Sequence, residues 1–270
     1  MKTVKLSNGI EMPQIGYGVY QVTPQECERC VTEALEVGYR MIDTAQAYQN
    51  EEGVGNAVRK SGIPRKDIFL VTKIWISNYG YERAKASIDE SLRKLQTDYI
   101  DLMLLHQPFC DRYGAYRAQE EAYKEGKLKA IGVSNFYPDH LIDLASNVEV
   151  KPMVNQVETH VFDQQIQPQK FMDELDCRIM SWGPLAEGAI VSSRMNYWAR
   201  LARSTASRFR RWPCAGCCSV ASSSSQSRPT RSAWLRTSTS STSNSLPTTW
   251  RRLRRSTQAR ASSSTITTAK

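Results

Sequence analysis

The sequence predicts an α/β chain folded as a parallel (β/α)8 barrel, and three observations carry that expectation. Short apolar runs alternate with helix-like stretches, and near-continuous apolar strands separated by helices imply a parallel sheet covered by helices. Seven such runs follow one another without the signal of a reversed strand, which makes most of an eight-stranded barrel. Polar residues close three successive runs, Asp43, Lys73 and His106, at spacings of 30 and 33 residues, each one βα unit. On pattern alone a doubly wound sheet stays open as an alternative.

Asn8-Gly9, between Val4-Lys5-Leu6 and Ile10-Glu11-Met12, predicts a two-residue hairpin turn because both residues tolerate positive φ. A strand is expected over Gln14 to Tyr20. Thr23-Pro24-Gln25-Glu26 then reads as a capping box with proline at the first helical position, and Gly38 as the stop of that helix. Further strands are expected at Met41 to Thr44, Ile68 to Lys73, Tyr99 to His106, Ala130 to Ser134, Met153 to Glu158 and Arg178 to Trp182. Apolar residues three and four apart predict helices between them, including Tyr81 to Leu95, Tyr116 to Tyr123 and Gln169 to Leu175.

Composition divides the 270 residues in two. The whole chain carries a formal charge of +9, but from Ala189 onward there are 14 Arg and 1 Lys with no Asp or Glu. The first 188 residues are therefore net negative, and the basic average says nothing about them. No stretch has the ~18 consecutive apolar residues of a membrane span, and Met1-Lys2-Thr3-Val4-Lys5-Leu6 lacks an apolar signal core. A soluble cytoplasmic protein with no membrane partner is expected. The seven scattered cysteines fit reduced thiols better than a disulfide framework. Cys27 and Cys30 form a C-x-x-C inside a helix with no second pair nearby, so no metal is expected there.

In a barrel, the C-terminal strand ends converge on one mouth, where such folds place their sites. Asp43, Lys73 and His106 would meet there, with Tyr48 on the loop five residues after Asp43. The chain carries Gly38-Tyr39-Arg40-Met41-Ile42-Asp43-Thr44-Ala45, Tyr48-Gln49-Asn50-Glu51-Glu52-Gly53-Val54-Gly55, Val71-Thr72-Lys73, Leu105-His106-Gln107-Pro108 and Gly132-Val133-Ser134-Asn135-Phe136. Across residues 1 to 188 these motifs, in this order, resemble the aldo-keto reductase superfamily, particularly its bacterial branch with 2,5-diketo-gluconate reductases. The resemblance implies an eight-stranded TIM barrel that reduces a small carbonyl substrate with NADPH. Hydride arriving at a carbonyl carbon leaves negative charge on oxygen, so a proton donor is needed. Tyr48 would be that donor, Lys73 would lower its pKa from ~10, Asp43 would keep Lys73 charged, and His106 would orient the substrate beside Trp75.

The resemblance also implies cofactor contacts. There is no G-x-G-x-x-G after a strand, so a Rossmann site is not expected. Ser134, Asn135 and Gln156 match the carboxamide-binding positions, and Trp182 in Trp182-Gly183-Pro184-Leu185 matches the ring that stacks on nicotinamide. Gly18, Val19 and Tyr20 match the opposite lining, with Asp43 beside them. Gln107 stands where many relatives have Trp. Gln119, among Tyr116, Ala122 and Tyr123 on a helix face, reads as a surface position.

After Gly188 the pattern stops: 82 residues contain 20 Ser, 11 Thr and 14 Arg without a recurring apolar face. At face value residues 189 to 270 form a disordered basic segment, leaving a barrel with seven strands and exposed edges, for which weak or absent NADPH turnover is expected. A shifted reading frame explains the composition. If each true codon takes the third base of one residue's codon and the first two of the next, Gln226-Ser227-Arg228 can decode as P-K-S. Arg231-Ser232-Ala233-Trp234 can decode as K-E-R-M, and Thr237-Ser238-Thr239-Ser240-Ser241-Thr242-Ser243 as N-F-D-V-F-D-F. The family's P-K-S and R-x-x-E-N motifs grip the adenosine 2′-phosphate. Two rival readings are a cofactor-binding regulatory subunit and a basic nucleic-acid-binding arm. Neither is preferred: no nucleic-acid partner is expected, and a monomer is the favoured state.

Overall fold

The computed structural model describes residues 1–160 and 162–184 and the backbone of 218–222. Strands β1 (Thr3–Lys5) and β2 (Glu11–Pro13) form an antiparallel ribbon in which Val4 faces Met12. The connection is wider than the two-residue turn expected. Leu6 N bonds Ile10 O at 2.8 Å and Gly9 N bonds Leu6 O at 2.9 Å, and of Asn8 and Gly9 only the glycine has positive φ, at 90°. Asn8 instead uses its side chain, donating to Lys129 O and accepting from Ile10 N, so its amide ties the ribbon to the barrel.

Seven parallel strands then neighbour one another in chain order: β3 (Ile15–Gly18), β4 (Met41–Asp43), β5 (Phe69–Ile74), β6 (Leu102–Leu105), β7 (Ile131–Ser134), β8 (Val154–Glu158) and β9 (Arg178–Trp182). The register is continuous, with Asp43 opposite Val71, Lys73 opposite Leu104 and Ser134 opposite Gln156. An eighth strand, β10 (Cys218–Ser222), pairs in parallel with both β9 and β3 and closes the barrel. This corrects the expectation of an open seven-stranded sheet. Ladder pairing uses backbone N–H and C=O groups, which any non-proline residue supplies, so a stretch with no apolar pattern fills the gap. The remaining residues beyond 184 lie outside the described ones.

Helices cover the outside: α1 (Pro24–Glu36), α2 (Glu51–Lys60), α3 (Tyr81–Leu95), α4 (Arg112–Lys124), α5 (Pro138–Ser146) and α6 (Ile166–Glu174). In α1 the capping box does not form. Thr23 contributes only its carbonyl, to Glu26 N and Cys27 N, while Pro24 fixes the first turn. Cys27, Cys30, Val31, Ala34 and Leu35 make its buried face, and Gly38 at φ 103° reverses the chain after it. Helix α4 begins four residues before the expected start because Asp111 caps it, accepting from Gly114 N at 2.9 Å. At Gly55 a Cβ would lie 2.7 Å from the Leu95 carbonyl oxygen, so glycine there sets how closely α2 approaches α3. No described helix is long and apolar enough to cross a membrane.

Gln119 departs from the surface position expected of it. Helix α4 turns it fully inward, where its Nε2 donates to the Met103 carbonyl of β6 at 3.1 Å. An amide sits at an apolar-looking position because a strand carbonyl there takes a side-chain donor.

Candidate active site

The mouth of the barrel is built from strand ends. Asp43 ends β4 and Lys73 lies near the end of β5, while His106 follows β6 and Tyr48 closes a 3-10 turn over Gln46–Tyr48. Register brings them together, since Asp43 pairs with Val71 and leaves Lys73 two residues on, facing the same side. Lys73 Nζ lies 2.5 Å from Asp43 Oδ1, 2.9 Å from Thr44 O and 3.5 Å from Tyr48 Oη. Asp43 Oδ2 accepts from Gln156 Nε2 at 2.9 Å across the barrel. The ammonium is thus buried with all three of its donors directed at oxygen.

Burial pulls the Lys73 pKa down, but the charges and hydrogen bonds of Asp43 and Tyr48 outweigh it and hold Lys73 above its ordinary value. Its contribution to stability is therefore present at neutral pH and is lost only in alkaline solution, as the ammonium deprotonates. For Tyr48 the balance differs from the sequence expectation. Burial raises its pKa more than Lys73 lowers it, and Asp43 adds to the rise, so the resting phenol lies above 10. His106 is pushed down to about 3, first by burial and then by the Lys73 charge, and is neutral at physiological pH. Its backbone is fixed on both sides, N to Ile74 O at 3.1 Å and O to Asn135 Nδ2 at 3.1 Å. Its ring stands edge-on to Tyr48 at 5.7 Å and to Trp75 at 5.0 Å. Its Nδ1 makes no hydrogen bond among the described residues.

Beside this group, Ser134 and Asn135 put a hydroxyl and an amide at the end of β7, and Gln156 puts an amide in the middle of β8. Ser134 Oγ donates to Gln156 O at 2.9 Å, and Asn135, at φ 62°, accepts from Trp182 Nε1 at 2.9 Å. Trp182 is half-buried and held by this bond at the end of β9, followed by Gly183 at φ 60°. Gly18 and Val19 are buried across the mouth, while Tyr20 is exposed with its ring 5.2 Å from Tyr48. Leu185 lies outside the described residues. A primary carboxamide needs donors and acceptors side by side with an aromatic face nearby, and this set of residues fits that requirement.

Sequence reasoning missed the supports. Thr44 supplies its carbonyl to Lys73 and its hydroxyl to Asn50 Oδ1 at 2.7 Å, while Asn50 Nδ2 binds Val19 O and Val22 O. Asn50 lies inside the motif Tyr48 to Gly55, which is the signal the sequence offers for it. Tyr79, fully buried, donates to Gln107 O and accepts from Gln107 N, a clamp that no spacing rule reveals. Cys27 is a buried thiol bonded to Asn50 O, its pKa pushed up to about 12 by burial and then by Cys30.

A family model described as Aldo/keto reductase family matches residues 5–215. The chain belongs to this family. The sequence is 44% identical over 195 residues to glyoxal reductase of Bacillus subtilis, covering 72% of this chain and 71% of that protein. It is 44% identical over 188 residues to methylglyoxal reductase DkgA of Escherichia coli K12, covering 68% of each. Among solved structures, an aldo/keto reductase from Brucella melitensis superimposes with a TM-score of 0.81 at 38% identity, over 89% of this chain and 93% of that one. The superposition on the Brucella melitensis structure agrees with the barrel topology. In this aldo/keto reductase chain, Asp43→Asn would leave the buried Lys73 ammonium without its counter-charge. We expect a loss of about 3 to 5 kcal/mol in stability, read by urea unfolding at neutral pH; a change under 1 kcal/mol would contradict the ion-pair account.

Proposed function

We propose that this barrel reduces a small aldehyde or ketone to an alcohol with NADPH, dicarbonyls such as methylglyoxal being the first substrates to try. The observation that carries the reading is a buried Lys73 ammonium touching Asp43 and Tyr48, with a neutral His106 ring against Tyr48. The nicotinamide, when bound, supplies hydride to the carbonyl carbon. Tyr48 holds the proton to be given to the carbonyl oxygen. Its high resting pKa keeps the phenol protonated until charge develops on the substrate, and the ammonium of Lys73 stabilises the phenolate that donation leaves. His106, being neutral, directs the carbonyl oxygen toward Tyr48, and Trp75 forms the adjoining wall.

Ser134, Asn135 and Gln156 would hold the carboxamide with Trp182 against its ring. Gly18, Val19, Tyr20, Asp43, Gly183 and Leu185 would line the rest. The tail follows from the same reading. The residues from near Gly188 onward are proposed to come from a shifted frame, so the segments that grip the 2′-phosphate are missing from the chain. Because β10 closes the barrel, the expected deficit lies in cofactor affinity rather than in folding. The test is NADPH oxidation by the purified, mass-verified chain with methylglyoxal at saturating cofactor. Aldehyde-dependent turnover is expected; none at any NADPH concentration would leave the regulatory-subunit reading in its place.

A further inference from the structure

The loop after β5 carries Trp75 and Tyr79 and is bound on one side by a residue that the chemistry above does not use. Gln46 opens the 3-10 turn that ends in Tyr48. Its Oε1 accepts from Trp75 N at 3.0 Å and Asn78 Nδ2 at 2.9 Å, and its Nε2 donates to Ser87 O and Ser91 Oγ, both at 3.1 Å. All four hydrogen-bonding positions of the amide are therefore filled. The turn bearing Tyr48 is joined through one side chain to the Trp75 loop and to α3.

On the far side of the same loop, Tyr79 Oη grips Gln107, donating to its carbonyl at 2.7 Å and accepting from its N–H at 3.1 Å. Gln107 is the residue after His106. A continuous path thus runs from the Tyr48 turn through Gln46 to Trp75 and Asn78, along the loop to Tyr79, and on to the His106 segment. The Trp75 ring, 5.0 Å from His106, closes the circuit at the pocket wall. We propose that Gln46 is a positioning residue for the reduction, setting Trp75 and His106 relative to the hydroxyl of Tyr48, with Tyr79 completing the link. The inference rests on the carbonyl-reduction reading.

Misplacing reacting groups by about 1 Å costs about 100-fold in rate, and the two substitutions that follow probe this. Gln46→Met removes all four bonds at similar volume. Gln46→Glu keeps the acceptor facing Trp75 N and Asn78 while losing the donor side. With methylglyoxal and the bulkier phenylglyoxal at saturating NADPH, we expect Gln46→Met to lower kcat about 10- to 100-fold. NADPH affinity should stay within about twofold; Gln46→Met should unfold at a lower temperature, because it leaves buried partners unpaired, while remaining folded at the assay temperature, and Gln46→Glu should recover part of kcat. Tyr79→Phe, which severs the other end, should raise KM for both aldehydes and serves if Gln46→Met does not fold.

Kinetics unchanged in the folded Gln46 variants and in Tyr79→Phe would overturn the proposal, as would a fall in kcat matched by equal losses of NADPH affinity and folded fraction. A wild-type chain without aldehyde-dependent turnover would instead sink the reduction reading and this inference with it. The two failures are therefore told apart by the wild-type trace alone.

Discussion

Replacing Tyr48 by Phe is expected to lower kcat for aldehyde reduction by about 10²- to 10⁴-fold, the usual contribution of a positioned proton donor. The loss should appear in kcat, because the ring that packs at 5.2 Å from Tyr20 and 5.7 Å from His106 is retained. Lys73 loses its weakest contact, at 3.5 Å, and keeps Asp43 and Thr44 O, so the barrel should unfold at nearly the wild-type temperature. NADPH titration monitored by fluorescence separates the two effects. An unaltered kcat would remove Tyr48 as donor and with it the role assigned to Lys73.

The second large effect concerns the tail. If the tail comes from a shifted frame, restoring it near Gly188 by one base should return the P-K-S and K-E-R-M segments that Gln226 to Trp234 can encode in that frame. Two charge-assisted contacts to the 2′-phosphate, at roughly 1.5 to 3 kcal/mol each, correspond to about a 10²- to 10⁴-fold gain in NADPH affinity. NADH affinity should hardly move. The chain as it stands is therefore expected to bind NADPH and NADH about equally, and the restored chain to prefer NADPH. Sequencing the coding DNA across Glu187 to Val191 comes first: a missing base supports the shift, while an intact frame together with tight NADPH binding by the 270-residue chain would refute it.

Much of the barrel could be read from residues because its signals are local. Tyr81–Leu95 and Arg178–Trp182 have the expected bounds, one set by helical spacing, the other by a short apolar run around Ile179 and Met180. Strand β6 is shorter than expected, since from Tyr99 to Asp101 the chain makes only an isolated bridge at Ile100 and Asp101 turns aside to pair with Arg65. Apolarity alone does not mark where a ladder begins. Asp43, Lys73 and His106 were legible as strand-end polar residues and Tyr48 as a loop residue after them, all in recognisable motifs. The clamp of Tyr79 on Gln107, the inward turn of Gln119 and the closure by Cys218–Ser222 were not. Each depends on partners far away in the chain and on backbone groups that carry no side-chain signature.

The pairing of β4 with β5 sets Asp43 opposite Val71 and so places Lys73 within reach of a carboxylate. A slip of one residue between these strands would turn Lys73 to the other face of the sheet and leave Asp43 facing an apolar neighbour without its cation. Either outcome strands a charge in a dry interior, at a cost of several kcal/mol, whereas an apolar pair at these positions would tolerate the slip. The ion pair therefore acts as a proofreader of barrel assembly: it penalises closure out of step before any substrate is present. The two side chains proposed to serve the chemistry at the mouth are also the two that favour a single way of closing the wall.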